Sequence, residues 1–243
     1  MKEKIDLRQL PAIYGRSKGA DWFEAIYKRD IIIIGAGGIG SWLSLFLSRT
    51  GANLFIYDYD HFENHNGGQV MFREDEGKLK TEAIKSTIAS FSPDCEVTTF
   101  GKYIQTSDSG KIVICGPDNI PTRRLAFNKW ATLVSKAPVE QKREYFFMDG
   151  RLLAEQLQIF CFSGDMPSLI EKYRTEFLFE PDEDTEESCT FKQTTPMAGL
   201  IAAQMIGYLT NWLTNLKRGR NIRRIPFSYE YLLATDTRIV KYE

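Results

Sequence analysis

The chain has 243 residues, which is enough for one large α/β domain with a sizeable core. Its formal net charge is −1, so no whole-chain field favours a nucleic acid or a membrane surface as partner. Its four cysteines lie far apart and form no C-x-x-C pair, which argues against a zinc ribbon and against a disulfide framework. We therefore expect reduced thiols and a cytoplasmic protein.

Residues 31–41, which read IIIIGAGGIGS, carry the most informative pattern of the chain. The β-branched run predicts a strand that is buried on both faces. The glycines that follow allow a sharp turn and a close approach of the backbone to a ligand. Residues 42–47 then predict a helix whose free N–H groups and positive end face the loop. Together these features indicate a nucleotide phosphate site, the alternative being a tight turn that binds nothing.

The other predicted elements alternate between strands and helices. Residues 1–29 are expected to be helical in part, and residues 60–77 to form a loop. Strands are predicted at 54–57, 96–100, 111–115, 145–148 and 157–162, and helices at 81–91, 121–134 and 196–216. Residues 163–188 are expected to be a mobile crossover loop, with short strands near 227–233 and 238–242. This order predicts an α/β, Rossmann-like fold with a mostly parallel sheet flanked by helices and a C-terminal antiparallel extension.

The segment 197–213 is apolar enough to be weighed as a membrane span. Gln204, Thr210 and Asn211 interrupt it, and it falls short of the ~20 apolar residues that a span requires. We therefore predict a buried helix. Its small residues permit close helix packing, either inside the chain or across a dimer interface.

Polar side chains follow several of the predicted strands. Asp58 ends a strand about 20 residues after the glycine loop, where an acid would hold a ribose hydroxyl of NAD, FAD or ATP alike. Asp60, the segment 66–80 and the pair Asp118 and Asn119 are expected at the same edge of the sheet. One crevice is therefore predicted to collect these groups.

Four stretches in this order resemble the ThiF/MoeB/HesA family of ubiquitin-activating-enzyme-like adenylyltransferases. They are IIIIGAGGIGSW, YDYD, NGGQVMFREDEGKLK and CGPDNIPTR, and the resemblance covers roughly residues 30–215. It implies one adenylation domain over residues 1–243 that uses ATP and Mg²⁺. The implied partner is a small ubiquitin-like or sulfur-carrier protein with a C-terminal glycine, whose carboxylate is activated, and the implied assembly is a homodimer.

The resemblance also implies roles for individual residues. Asp58 would bind the ribose, and Asp118 would be the magnesium-linked aspartate and a catalytic residue. The phosphates would be bound by Gly35, Gly37, Gly38, Gly40, Asn66 and the catalytic Lys80. Each polar residue has an alternative reading: Lys80 as a solvated lysine that opens a helix, and Asp118 and Asn66 as turn residues. Arg123 would support the loop structurally.

The second motif departs from the family pattern, which has Asn-x-x-Arg-Gln. Here Asn66 is followed by two glycines and Gln69, so glutamine replaces the arginine or one residue is deleted. A glutamine cannot replace a bidentate phosphate contact. Arg73 could reach in from the same loop. Arg8 and Arg16 are the two candidates for the N-terminal arginine that family dimers donate across their interface.

Cys189 lies between the acidic segment and the predicted helix 196–216. In eukaryotic ubiquitin-activating enzymes, a catalytic cysteine in a Cys-Thr sequence occupies a similar place, and Cys189 precedes Thr190. A cysteine near a helix N-terminus can have a depressed pKa and act as a nucleophile, here for thioester transfer after adenylation. The alternative is a small apolar residue that anchors the loop.

Three functions are therefore compared. The first is adenylation of a carrier protein, which the resemblance implies. The second is an NAD- or FAD-binding oxidoreductase on the same kind of sheet, which leaves the segment 66–80 and the pair Asp118 and Asn119 without a role. The third is a non-catalytic partner subunit with an adenylyltransferase fold, which the departure at Gln69 supports.

Overall fold

The computed structural model describes residues 10–178 and 195–243, and the strands in those residues form one sheet. They are β1 (Asp30–Ile34), β2 (Asn53–Tyr57), β3 (Val97–Phe100), β4 (Ile112–Cys115), β5 (Phe146–Leu153), β6 (Gln156–Ser163), β7 (Ser228–Leu232) and β8 (Thr237–Lys241). Their order across the sheet is β3-β2-β1-β4-β5-β6-β7-β8. Neighbours from β3 to β5 pair in parallel, and neighbours from β5 to β8 pair antiparallel. The predicted fold class is confirmed.

Helices cover both faces of this sheet. They are α1 (Asp21–Ile26), α2 (Gly38–Leu47), α3 (Lys80–Phe91), α4 (Ile120–Lys136), α5 (Pro167–Glu176) and α6 (Thr195–Arg218). Apolar residues of α1, α2, α3 and α6 share one buried cluster, and those of α4 and α5 share another. The predicted partly helical start is represented by α1 and a single 3-10 turn at Ala12–Tyr14. Residues 1–9 lie outside the described residues, and the single domain over 1–243 stays a prediction.

The four isoleucines of β1 explain why this strand lies in the middle of the sheet. Ile31 and Ile33 belong to the cluster under α2 and α6, whereas Ile32 and Ile34 belong to the cluster under α4. Successive side chains of a strand point to opposite faces, so an unbroken apolar run is stable only where both faces are covered.

The chain changes direction across the sheet between β1 and β4. From β1 it proceeds outwards to β2 and β3, then returns to pair β4 on the other side of β1. In open α/β sheets, ligands bind at the carboxyl ends of the strands at such a switch point. The strand ends are tied together there, because Gly35 N donates to Tyr57 O at 2.8 Å and Gly116 N donates to Ile34 O at 2.9 Å.

The prediction that a strand ends at Met148 is wrong. β5 continues through Asp149 and Gly150 to Leu153, because β6 turns back and pairs with it along its whole length, from Phe146 opposite Ser163 to Leu153 opposite Gln156. Asp-Gly after an apolar run is a common turn sequence, but here the antiparallel partner supplies the hydrogen bonds.

The prediction of a loop over 163–188 is wrong for its first part. Residues 167–176 form α5, which begins with a proline in its first turn and buries Tyr173 completely. Leu169, Ile170 and Tyr173 pack against the cluster under α4 at helical spacing, while the charged residues between them stay at the surface. The part of the predicted loop from residue 179 to residue 188 lies outside the described residues.

The apolar segment 197–213 lies within α6, which packs against α1 and α2 and the sheet behind them. Ala198 and Ala202 are completely buried there and serve packing inside the chain, whereas Ala203 is exposed. Among the described helices, none is both long and apolar enough to cross a bilayer. The prediction of a buried helix is confirmed.

Candidate active site

Gly35 holds the turn that leads out of β1. Its φ is +93°, a conformation that side chains disfavour, and a Cβ at this position would lie 2.9 Å from the backbone of Gly116 and Pro117. Only glycine permits this close approach between the tips of β1 and β4. The turn therefore fixes the floor of the crevice at the switch point.

The next glycines have different surroundings. Gly37 precedes the first residue of α2, and a Cβ built on it would find no atom within 4 Å. Gly40 instead lies inside the helix, where a Cβ would meet the carbonyl oxygen of Gly35 at 1.7 Å. Gly37 thus leaves room beside the unpaired first-turn amides of α2, which favour an anion, while Gly40 lets loop and helix pack together.

Asp58 closes one end of this loop. Its Oδ2 accepts a hydrogen bond from Ala36 N at 2.6 Å, and its Oδ1 accepts one from Asp60 N at 2.8 Å. Burial raises the pKa of the Asp58 carboxyl, while these two amides and the charge of Lys80 act in the opposite direction. Each carboxylate oxygen keeps a second lone pair, which a ribose hydroxyl can use.

Lys80 is the first residue of α3 and is largely buried. Its Nζ lies 3.0 Å from Asp60 Oδ2, and its side chain is only 11% exposed. The reading of Lys80 as a solvated lysine is therefore wrong, because its ammonium is held at the crevice by the loop that follows β2.

The loop between β2 and α3 is attached to α2 by two hydrogen bonds. Trp42 Nε1 donates to Gly68 O at 3.0 Å, and Val70 N donates to Ser41 Oγ at 3.1 Å. These bonds place the neighbouring Asn66 and Gln69 beside the glycine loop, and both residues line the same cleft. Gln69 Oε1 is buried and has no hydrogen-bond partner among the described residues.

Asp118 and Asn119 occupy the turn between β4 and α4. Asn119 caps the helix, since its side-chain oxygen accepts a hydrogen bond from Thr122 N at 2.9 Å. Its Nδ2 donates to Asp118 Oδ1 at 3.1 Å. The helix cap therefore orients the exposed carboxylate of Asp118 at the strand tip.

One cleft of about 970 Å³ joins these groups. The predicted site residues that line it are Gly35, Gly37, Gly38, Asp58, Asn66, Lys80 and Asp118. Gly40 is not part of its lining, and neither are Arg16 and Arg73. Cys189 and Arg8 lie outside the described residues. The cleft brings the predicted phosphate, ribose and magnesium groups together, while their binding roles stay predictions.

The far side of the cleft contains residues that the sequence did not single out. Arg151 and Gln158 come from the β5–β6 hairpin, and Phe177 follows α5. Under them lies the fully buried Asp149, whose Oδ2 accepts hydrogen bonds from Arg151 Nε at 2.8 Å and from Tyr173 Oη at 2.9 Å. The polar residue right after the predicted strand 145–148 was the only signal for this network.

Arg123 completes this network from α4. Its guanidinium pairs with Asp149 and donates to the carbonyl oxygens of Gly150 and Pro117. It is 6% exposed and ties the tip of β4 to β5. These contacts agree with the predicted structural role.

Comparison with known proteins identifies this arrangement. A family model described as the ThiF family matches residues 8–238. The chain belongs to the ThiF family. The predicted resemblance to this family is thereby confirmed.

Named relatives of this ThiF-family chain are activating enzymes. Ubiquitin-like modifier-activating enzyme 5 of Dictyostelium discoideum is 38% identical over 89 residues, which are 36% of this chain and 23% of the relative. The NEDD8-activating enzyme E1 catalytic subunit of Caenorhabditis elegans is 35% identical over 116 residues, which are 44% of this chain and 26% of the relative. The chain thus matches only about a quarter of the length of these curated relatives.

Solved structures share the fold of the whole chain. PaaA superposes with a TM-score of 0.70 at 15% identity, covering 100% of this chain and 76% of PaaA. Escherichia coli MccB, solved with ATP, superposes with a TM-score of 0.64 at 16% identity, covering 96% of this chain and 72% of MccB. At these identities the likeness establishes the fold alone.

The residues of the cleft fit ATP and Mg²⁺. Open space beside Gly37 leaves room for phosphate oxygens at the α2 amides, and Lys80 supplies a cation. No group of three or more His, Cys, Asp or Glu side chains in residues 10–178 and 195–243 could hold a metal ion. A single carboxylate such as Asp118 nevertheless suits Mg²⁺ in nucleotide sites, because the substrate phosphates and water supply its other ligands.

Proposed function

We propose that this ThiF-family chain is an ATP-dependent adenylyltransferase that activates the C-terminal carboxylate of a small ubiquitin-like or sulfur-carrier protein. The observation that carries this proposal is the shared cleft, in which the glycine loop at the start of α2, Lys80 and Asp118 all take part. These groups come from the three connections that follow β1, β2 and β4, and they converge where an open α/β sheet binds its ligand.

Adenylation must bring two anions together, so the cleft has to supply positive charge and amide donors. Asp58 binds the ribose, and the α2 amides with Asn66 and Lys80 bind the phosphates. Mg²⁺ held by Asp118 would offset the charge that develops on the phosphate oxygens. The amides and the ion pair of Lys80 with Asp60 are fixed by the fold, so little reorganisation is needed at the moment of reaction.

In the adenylation step, one P–O bond forms and one P–O bond breaks. A carboxylate oxygen of the carrier attacks the α-phosphorus of ATP and forms a new P–O bond. The bond from the α-phosphorus to the bridging oxygen breaks, and pyrophosphate leaves with that electron pair. The products are the acyl adenylate and pyrophosphate, and no proton has to be transferred in this step.

The carrier class rests on the relatives and not on the cleft alone. One activating enzyme above is named for a ubiquitin-like modifier and the other for NEDD8, and one solved MccB structure is named as a complex with N-formylated MccA. In this proposal the carrier ends in glycine, and Cys189 accepts the acyl group as a thioester. The proposal includes a homodimer in a cytoplasmic setting.

The experiment begins with binding of Mg-ATP and of NAD, measured by titration calorimetry on the full chain. ATP–pyrophosphate exchange is then measured with a panel of carriers that end in Gly-Gly. We expect binding of Mg-ATP and exchange with at least one carrier. Binding of NAD without binding of Mg-ATP would favour the oxidoreductase instead and overturn the proposal.

A non-catalytic partner subunit is the second candidate, because no arginine of the loop between β2 and α3 lines the cleft in the described residues. It predicts a stable complex with another chain and no exchange with any carrier. Mg-ATP binding without exchange, together with such a complex, would replace our proposal by this one.

A further inference from the structure

Arg151 lies at the cleft with its guanidinium already oriented. Its Nε donates to Asp149 Oδ2 at 2.8 Å, and its Nη2 donates to Phe177 O at 2.7 Å. The guanidinium also lies over the ring of Phe160, 5.0 Å from the centroid. These two hydrogen bonds use two of its five N–H groups, and a quarter of its side chain is exposed.

Two arginines share one buried carboxylate in this network. One fully buried carboxylate, Asp149, faces two guanidinium groups, those of Arg123 and Arg151. Arg123 is 7% exposed in its side chain and is engaged by two backbone carbonyls besides Asp149. Arg151 is the more exposed of the two, so its charge is the one available to an anion in the cleft.

The order of the strands indicates that Arg151 faces the acyl substrate and not the nucleotide. Asp58 follows β2, the glycine loop follows β1, Asp118 follows β4, and Arg151 lies on β5, in that order across the sheet. A nucleotide with its ribose at Asp58 and its phosphates at the glycine loop leaves the β5 side for the other reactant. Leu152, Leu153, Gln156 and Gln158 line that side, which suits the end of a peptide chain.

Resting on the proposed function, we propose that Arg151 binds the carboxylate of the acyl substrate and positions it for attack on the α-phosphorus. Its planar N–H groups can hold one carboxylate oxygen while the other forms the new P–O bond. Its positive charge offsets the repulsion between that carboxylate and the triphosphate.

The test compares one adenosine ligand that carries an acyl group with two that carry none. Mg-ATP, 5′-O-sulfamoyladenosine and 5′-O-(N-glycylsulfamoyl)adenosine, a stable mimic of a glycyl adenylate, are titrated into the full chain by calorimetry. The variants are Arg151→Gln and Arg151→Lys, and the control is Arg174→Gln, an exposed arginine of α5 outside the cleft lining. Thermal unfolding checks that each variant folds, and Asp149 keeps Arg123 and Tyr173 as partners in all of them.

We expect Arg151→Gln to weaken binding of the glycyl compound about 10- to 100-fold while Mg-ATP and sulfamoyladenosine change less than about twofold. Arg151→Lys should show an intermediate loss, since it keeps the charge but not the planar fork. An equal loss for all three ligands would mean that Arg151 acts on the part they share, which is adenosine with its first tetrahedral group, and would overturn the proposal, as would no loss for any. If the unaltered chain binds none of the three, the proposed function itself fails.

Discussion

Lys80 is joined to Asp60 at two points, by its side chain and by its backbone. Lys80 Nζ lies 3.0 Å from Asp60 Oδ2, and Lys80 N donates to Asp60 O at 2.9 Å. The same residue therefore begins α3 and presents a nearly buried ammonium to the cleft. An anionic ligand that enters can share this ammonium with Asp60.

Replacement of Lys80 by methionine should reduce ATP–pyrophosphate exchange by about 10²- to 10³-fold, the range for loss of one preorganised electrostatic group. Methionine fills similar volume, so the thermal unfolding temperature should change little. Lys78→Met is the matched control, because Lys78 pairs with Asp75 at 2.8 Å and is not part of the cleft lining. Similar exchange rates in the two variants would contradict a phosphate role for Lys80.

Two glycines of one loop should respond differently to the same substitution. Gly35→Ala should lower the free energy of unfolding by at least about 2 kcal/mol, because alanine is strained at φ +93° and its Cβ meets backbone at 2.9 Å. Gly37→Ala should cost less than about 1 kcal/mol, since its φ is −73° and its Cβ enters open space. Urea denaturation measures both values.

Gly37→Ala should also affect Mg-ATP binding without affecting folding. In Gly37→Ala the new methyl group occupies the space beside the α2 amides, so Mg-ATP affinity should fall at least tenfold while the fold is retained. Calorimetry measures this affinity. Unchanged binding in Gly37→Ala would mean that the phosphates lie elsewhere.

Much of the nucleotide half of the cleft could be predicted from sequence because its signals are local. The isoleucine run, the glycines behind it and Asp58 fall within one strand–helix–strand unit, so adjacency in sequence implies adjacency in space. Asp118 can be predicted for a similar reason, since it lies in the turn directly after the buried strand β4. The burial of the Lys80 side chain cannot be predicted in the same way, because it depends on the fold of the loop before α3.

The acyl half could not be predicted because its contacts connect distant segments. Asp149 follows the predicted strand 145–148 in a sequence typical of turns, and its partners Arg123 and Tyr173 lie 26 and 24 residues away. Burial of a carboxylate can be predicted from sequence only if the cationic side chains that pair with it are known to lie nearby. α5 was missed because an acidic stretch follows it and masks its apolar spacing.

Asp118→Asn should keep Mg-ATP binding measurable but reduce exchange, because an amide oxygen is a weaker Mg²⁺ ligand than a carboxylate. Asn119 can still cap α4, so the fold should be retained. Exchange measured against Mg²⁺ concentration should show a requirement for more Mg²⁺ in the variant. The control is Asp94→Asn, an exposed loop residue; an unaltered Mg²⁺ requirement in Asp118→Asn would refute the metal role.

Thiol reactivity tests the role predicted for Cys189. Burial raises the pKa of Cys95 and of Cys115 to about 12, and it also raises the pKa of Cys161. A raised pKa keeps these thiols protonated at pH 8, so they should react slowly with a disulfide reagent such as DTNB in the folded protein. A catalytic Cys189 should therefore give one fast-reacting thiol, and Cys189→Ser should abolish it. A fast phase that persists in Cys189→Ser would contradict this assignment.

Asp149 should be among the more costly polar residues to replace. Its carboxylate is fully buried between Arg123, Arg151 and Tyr173, and it balances one of the two guanidinium charges. Asparagine keeps the size but removes the negative charge that faces both arginines. Loss of one partner from a buried ion pair typically costs about 3–5 kcal/mol.

Asp149→Asn should therefore lower the free energy of unfolding in urea by about that amount at pH 7, against less than about 0.5 kcal/mol for the exposed control Asp94→Asn. A change below about 1 kcal/mol would show that Asp149 is not the group that compensates these charges, and the orientation argued for Arg151 would lose its support.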